Sequence, residues 1–251
     1  MLEIKNLIAG YGEKEVLQNL NLLFEKKALY AILGPNGSGK STLLRTIDRI
    51  IKPKGGSIYI SGEDLKKISH RNLAKRIAYL PQKSNSTPFC TVFDTILLGR
   101  KPHITIEPSK KDLNIVENLI IEFGLEEFAF RKIGELSGGE SQKVLIARAI
   151  SQEPEVLLLD EPVNHLDPKN QLEILSLLKR VTVERSIITI IVLHDLNLAI
   201  QFADYFIFMK NGKIYREGDQ NIIDESLIKD VYEINVKIIN HEGRKFVVNA
   251  F

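Results

Sequence analysis

The nine residues GPNGSGKST, Gly34 to Thr42, constrain this chain more than anything else in it. They satisfy G-x-x-x-x-G-K-[ST], a pattern that carries a mechanism when a buried strand precedes it and a helix follows. Both flanks are present. Leu29 to Leu33 is a short apolar run that reads as a buried strand. Lys40 to Ile51 carries Leu43, Leu44, Ile47 and Ile50/Ile51 at helical spacing. Glycine admits torsions that a side chain would block, so the backbone N–H groups along Gly34, Asn36, Gly37, Ser38 and Gly39 can converge on an anion. The positive end of the following helix points at the same anion. Lys40 brings an ammonium for the β- and γ-phosphates. Ser41, followed by Thr42, offers a hydroxyl to Mg²⁺. The expected ligand is a nucleotide with Mg²⁺.

Two further segments belong to this chemistry. VLLLDEP, Val156 to Pro162, sets Asp160 and Glu161 at the carboxyl end of a continuous apolar run. In a parallel sheet that end faces the ligand crevice. An aspartate there holds Mg²⁺ through its water shell, and the next glutamate orients or deprotonates an attacking water. LSGGE, Leu136 to Glu140, opens a periodic helix. Ser137 and Glu140 are explained by a capping box. Gly138 and Gly139 are not, because each costs ~1 kcal/mol against alanine inside a helix. An anion approaching that helix start would account for them.

The rest of the chain frames these motifs. Leu2 to Ile8 alternates and reads as a strand, as do Ser57 to Ile60 and Ile77 to Leu80. Thr91 to Ile150 is mostly helical, its first helix bracketed by the turn-rich segments SNSTPF and KPHITIEPS, and is expected to form a subdomain. Val156 to Leu159 and Ile187 to Leu193 are apolar enough for central strands. Helices over Gln171 to Val183 and Leu196 to Phe202 alternate with them, which predicts a mainly parallel α/β core. Asn211-Gly212 predicts a type I′ hairpin, and a second strand pair is expected around Glu242-Gly243 after a short helix over Glu225 to Tyr232. Net charge is +2, from 34 basic and 32 acidic residues, a balance against a dedicated nucleic-acid binder. Cys90 stands alone, so no intrachain disulfide is expected. The N-terminus lacks a signal-peptide core, and the longest apolar run is far short of the ~20 residues a membrane helix needs.

Taken in order, these motifs resemble the nucleotide-binding subunits of ATP-binding cassette transporters. GPNGSGKST is similar to their P-loop and VLLLDEP to their Walker-B strand. Gln82 in YLPQ resembles the Q-loop glutamine, LSGGE the signature, Asp167 ending NHLD the D-loop, and His194 the switch histidine. Tyr11 sits where the family has an aromatic that stacks on adenine. The resemblance implies a P-loop NTPase core with a mainly parallel sheet, an N-terminal antiparallel β region and an inserted helical subdomain. Residues 1–84 and 150–251 would form the core with its C-terminal extension, and 85–149 the subdomain. It implies two cassettes head to tail, with ATP between the P-loop of one and the signature of the other. Ser137, Gly138, Gly139 and Glu140 would complete the site in trans. Gln82 would reach the Mg²⁺ site and couple it to a membrane partner. Glu161 would polarise the attacking water, His194 would contact the γ-phosphate, and Asp167 would communicate across the dimer.

LHDLNLAIQFAD, ISHRNLAKRIAYLPQ, TVFDTILLGRKPH and SLIKDVYEINVKI resemble the importers for iron-siderophore, haem and cobalamin. The implied partners are a second cassette, an integral membrane permease and, indirectly, a substrate-binding protein, at the cytoplasmic face of the cell membrane. Lys83 to Ile106 would receive the permease. The alternatives are a cassette for molybdate, tungstate or zinc, or a soluble cassette ATPase unconnected with transport. Val163 and Ser141 depart from the family's usual Thr and Arg.

Overall fold

A computed structural model of the chain describes residues 1–25, 27–82, 89–241 and 243–250. Residues 83–88, in SNSTPF and at the start of the expected permease-docking segment, lie outside the described residues, as does Glu242.

β1 (Leu2–Tyr11), β2 (Lys14–Phe24) and β3 (Ala28–Leu33) lead into α1 (Lys40–Ile47). β4 (Gly55–Ile60), β5 (Glu63–Asp64), α2 (His70–Leu73) and β6 (Ile77–Leu80) follow. Three helices come next: α3 (Val92–Leu98), α4 (Lys110–Glu122) and α5 (Gly138–Ser151). The chain then alternates through β7 (Val156–Asp160), α6 (Pro168–Glu184), β8 (Ile188–Val192), α7 (Leu196–Phe202) and β9 (Tyr205–Lys210). β10 (Lys213–Gly218), α8 (Glu225–Tyr232), β11 (Val236–His241) and β12 (Arg244–Asn249) complete it.

The central sheet runs β10-β9-β3-β8-β7-β6, and every pairing in it except β9–β10 is parallel. Every residue of β7 and β8 is buried, as befits strands covered on both faces. A second sheet, β2-β1-β4-β5, is antiparallel. α1 lies between the two sheets: Leu43, Leu44 and Ile47 pack with Leu20 and Phe24 on one side and Ile190 and Val192 on the other. The opposite face of the central sheet packs on α3 to α8 in one continuous apolar cluster. The expected α/β class with its antiparallel N-terminal region is therefore observed.

Several details differ from the sequence reading. β2 was not anticipated. Its inward residues Leu17 and Leu20 are three apart, because Asn19 has φ +53° and shifts the register against β1. That bulge breaks the period of two that marks a strand. α1 stops at Ile47 instead of Ile51, since Asp48 caps it and Arg49 turns to φ +59°. α6 begins at Pro168, with Asp167 as its N-cap. The Asn211-Gly212 hairpin is as expected, with φ +51° and +76° linking Lys210 to Lys213.

A buried ion-pair hub ties the helices together. The Arg100 guanidinium, 2 % exposed, bonds Asp112 Oδ1 at 2.9 Å, Glu153 Oε2 at 2.8 Å and the Ser151 carbonyl at 2.6 Å. It joins the chain after α3 to the first turn of α4 and the end of α5.

Candidate functional site

The phosphate loop crosses from β3 to α1 on unusual backbone. Gly34 has φ +145°, and a Cβ there would lie 2.2 Å from the Met209 carbonyl oxygen. Gly39, the α1 N-cap, has φ +104°, and its Cβ would lie 2.8 Å from Leu17 Cδ2. Only glycine fits either place. No side chain caps α1 and no acid occupies its first turn, so its N–H groups remain open to an anion. Lys40 is buried. Its Nζ donates to the carbonyls of Gly34, at 2.7 Å, and Pro35, at 3.0 Å. Burial lowers its pKa, while Glu161 and Asp160 oppose that shift. A cleft of about 360 Å³ opens above the loop, bounded by Tyr11, Lys14, Asn36, Lys40, Ser41 and Glu161.

At the cleft floor the Ser41 hydroxyl donates to Asp160 Oδ1 at 2.9 Å, and the Tyr79 hydroxyl donates to Asp160 Oδ2 at 3.2 Å. Asp160 is 1 % exposed. Burial raises its pKa against those two hydrogen bonds. One hydroxyl and one carboxylate are hard oxygen donors that suit Mg²⁺, which keeps most of its shell for water and phosphate. Among the described residues no group of three or more His, Cys, Asp or Glu could hold a metal ion. A metal here would take its remaining ligands from nucleotide and solvent.

Glu161 has φ +57°, a left-handed torsion that is costly for a side-chain-bearing residue. Three donors hold its carboxylate: His194 Nε2 lies 2.6 Å from Oε1, while Gln82 Nε2 and Asn164 Nδ2 donate to Oε2. The sequence reading placed Gln82, Glu161 and His194 at the site; Asn164 was missed. Its only trace in the sequence is its spacing three residues after Glu161. Tyr11, 49 % exposed, accepts a hydrogen bond from Arg45 at 3.3 Å.

The LSGGE segment lies elsewhere: no residue from Ser137 to Glu140 bounds the cleft. The capping box is present. Ser137 N–H and Oγ–H both donate to Glu140 Oε2 at 2.8 Å, which lowers the glutamate's pKa. The two glycines separate. A Cβ on Gly139 would lie 2.6 Å from the Asn170 side chain, so helix packing explains it without a ligand. Gly138 is exposed and has open space beside it. Asn170 also bonds Asp167, whose carboxylate accepts the Asn170 N–H at 3.0 Å and has a lowered pKa. Asp167 and the first turn of α5 therefore share one asparagine.

The model of the ABC transporter family matches residues 17–164, more than half of the chain and a span that includes the phosphate loop, Gln82, LSGGE, Asp160 and Glu161. The chain belongs to the ABC transporter family. An uncharacterized ABC transporter ATP-binding protein of Methanocaldococcus jannaschii is 44% identical over 99% of this chain and 97% of its own length. The iron(3+)-hydroxamate import ATP-binding protein of Bacillus subtilis is 37% identical over 95% of this chain and 90% of its own. Among solved structures, an inward-facing ABC transporter described as of metal-chelate type has a TM-score of 0.84 at 28% identity, covering 99% and 96% of the two chains. A dimeric ATP-binding cassette bound to ADP and Pi has a TM-score of 0.76 at 31% identity, covering 87% and 98%. ATP-binding domains of this family hydrolyse ATP. Among the described residues no helix of this ABC protein is long and apolar enough to cross a membrane.

Proposed function

We propose that this chain is the ATP-hydrolysing subunit of an importer for an iron-siderophore complex or a related metal chelate. The observation that carries hydrolysis is the Glu161 carboxylate, held beside the phosphate-loop cleft by Gln82, Asn164 and His194. A water between Glu161 and the γ-phosphate passes its proton to the carboxylate as its oxygen attacks phosphorus. The bond to the β-phosphate oxygen breaks, giving ADP and phosphate. Lys40 exchanges its two carbonyl partners for phosphate oxygens. His194 contacts the γ-phosphate, and Tyr11 stacks on adenine. Ser41 and Asp160, with Gln82, would hold Mg²⁺, which would supply charge neutralisation.

The absence of Ser137 to Glu140 from the cleft lining favours a second copy facing head to tail. ATP would then lie between the P-loop of one copy and the LSGGE of the other, with Asp167 at the dimer contact. The division into a core of residues 1–84 and 150–251 and a helical subdomain of 85–149 is part of this reading. So is a peripheral position at the cytoplasmic face of the membrane, with a permease as partner and a substrate-binding protein as indirect one. Phe89 and Phe130 are 80 % and 84 % exposed, and Phe130 stacks on Phe93 at 6.4 Å, an apolar surface suited to the permease. The cargo class rests on the iron-hydroxamate import relative and on the metal-chelate structure.

Glu161→Gln is the direct test. It keeps the shape and removes the base, so the variant should bind ATP, form a stable dimer in light scattering and turn over at least 100-fold more slowly. A monomer with normal hydrolysis would sink the proposal.

A further inference from the structure

α1 meets two cavities, one at each end. Its first turn, Lys40 to Thr42, borders the nucleotide cleft. Its last turn and the chain that follows border a second cavity of about 420 Å³, and no residue bounds both. Part of the second lining is apolar, from Pro53, Ile58 and Leu65. Thr46 belongs to this part, because its hydroxyl donates to the Thr42 carbonyl at 2.7 Å and has no proton left for a ligand. The charged part is basic. Arg49, Lys52, Lys66 and His70 line the cavity with one acid, Asp64. Arg49 has φ +59°, and its Nη1 donates to the carbonyls of Leu65, at 3.0 Å, and Ile68, at 2.5 Å, which fixes the guanidinium. Lys66 Nζ donates to the Gly56 carbonyl at 3.1 Å, and Asp64 Oδ1 accepts the Lys66 N–H at 2.8 Å. Among the described residues no ion pair engages Arg49, Lys52 or Lys66. Thr46, Ile58 and Leu65 are buried while Lys52, Lys66 and His70 are exposed, so charge lies toward solvent and apolar surface inward. A helix C-terminus favours nearby cations, which accounts for Arg49, next to the Asp48 cap. It does not account for Lys66 and His70, which the chain brings in after β5.

We propose that this cavity binds a small phosphomonoester with an apolar body. Three cations against one carboxylate leave two positive charges uncompensated. A phosphomonoester carries about −1.5 to −2 charge near pH 7 and three acceptor oxygens, which matches that surplus. Guanidinium and ammonium groups are strong donors to phosphate, and the His70 ring offers one more. A carboxylate, with one charge, would leave half of the surplus unmet. The phosphate lies among Arg49, Lys52 and Lys66, and the apolar body lies against Ile58, Leu65 and the Thr46 methyl. The volume falls within the range of about 300–1,000 Å³ typical of small-ligand sites. The site is separate from the nucleotide cleft and does not depend on the ATPase reading.

The test titrates the full chain with phenyl phosphate and follows backbone amide chemical shifts, which read the two cavities apart. Thr46, Ile58 and Leu65 report this cavity, and Gly37 and Gly39 report the phosphate loop. Saturable shifts are expected at Thr46, Ile58 and Leu65. Inorganic phosphate, which lacks the apolar body, should bind there about tenfold more weakly. Benzoate, which lacks one charge, should also lose about tenfold. Lys52→Glu and Lys66→Glu should each weaken phenyl phosphate about tenfold at those amides. Lys52 has no ion-pair partner to lose, and the remaining amide spectrum shows directly that the variant is folded. Lys40→Ala, in the phosphate loop, should leave the affinity read at Thr46, Ile58 and Leu65 unchanged. Shifts confined to Gly37 and Gly39, or an affinity unaltered in both glutamate variants, would overturn the site. Benzoate or inorganic phosphate binding as tightly as phenyl phosphate would overturn the ligand class.

Discussion

Gly138 and Gly139 are adjacent and chemically identical, yet their surroundings assign them different work. Gly139→Ala drives a methyl into the Asn170 side chain at 2.6 Å. It should cost about 1–3 kcal/mol in urea unfolding, the range for overpacking. Gly138→Ala meets nothing closer than Leu166 at 3.8 Å, and alanine is a better helix former. It should leave stability equal or raised by up to ~1 kcal/mol while lowering ATPase activity, if the open face receives nucleotide from a second copy. Equal activity in Gly138→Ala and wild type would remove that glycine from the site. The groups that carry formal chemistry were legible in the sequence, because Lys40, Ser41, Asp160, Glu161 and His194 sit at element ends that periodicity locates. Asn164, Asn170 and Tyr79 were not. Each acts by holding another side chain, and such partners are fixed by three-dimensional proximity, not by spacing along the chain.

Among the elements, α3, α4 and α5 are joined through Arg100 as well as through their apolar faces. Asp112, 8 % exposed at the start of α4, is held by Ser109 and Arg100, and its pKa falls to about 2. Arg100→Leu leaves that carboxylate buried without its cation and should destabilise the fold by about 3–5 kcal/mol. The sign of the pH dependence follows from the depressed pKa. The native state holds the carboxylate ionised where an unfolded chain, titrating near 3.8, would protonate it. Its stabilisation is therefore present above pH ~4 and lost as pH falls toward 2. Circular dichroism against pH should show this acid-labile component in wild type and not in Asp112→Asn. At this scale the sequence was legible wherever hydrophobic period and element coincided, as in β7, β8 and α5. It failed at β2, because the positive φ of Asn19 hides the alternation.

At the scale of the molecule, the described residues present a phosphate-loop cleft, an LSGGE segment that does not bound it, and exposed rings at Phe89 and Phe130. On the proposed reading the first two would meet a second copy and the third a membrane partner. Phe89→Asp should abolish cargo uptake in reconstituted vesicles while leaving ATPase activity in detergent near wild type. Loss of both activities together would place Phe89 in the fold instead of at a docking surface. The hold on Glu161 has one more consequence. A carboxylate that already accepts from an imidazole and two side-chain amides has its oxygens occupied, and a water reaches it only where one of them gives way. Gln82, one of those three, immediately precedes the segment proposed to meet the permease. On the proposed reading, a permease that shifts Gln82 would therefore reach Glu161 through one side-chain contact, with no other part of the fold having to move.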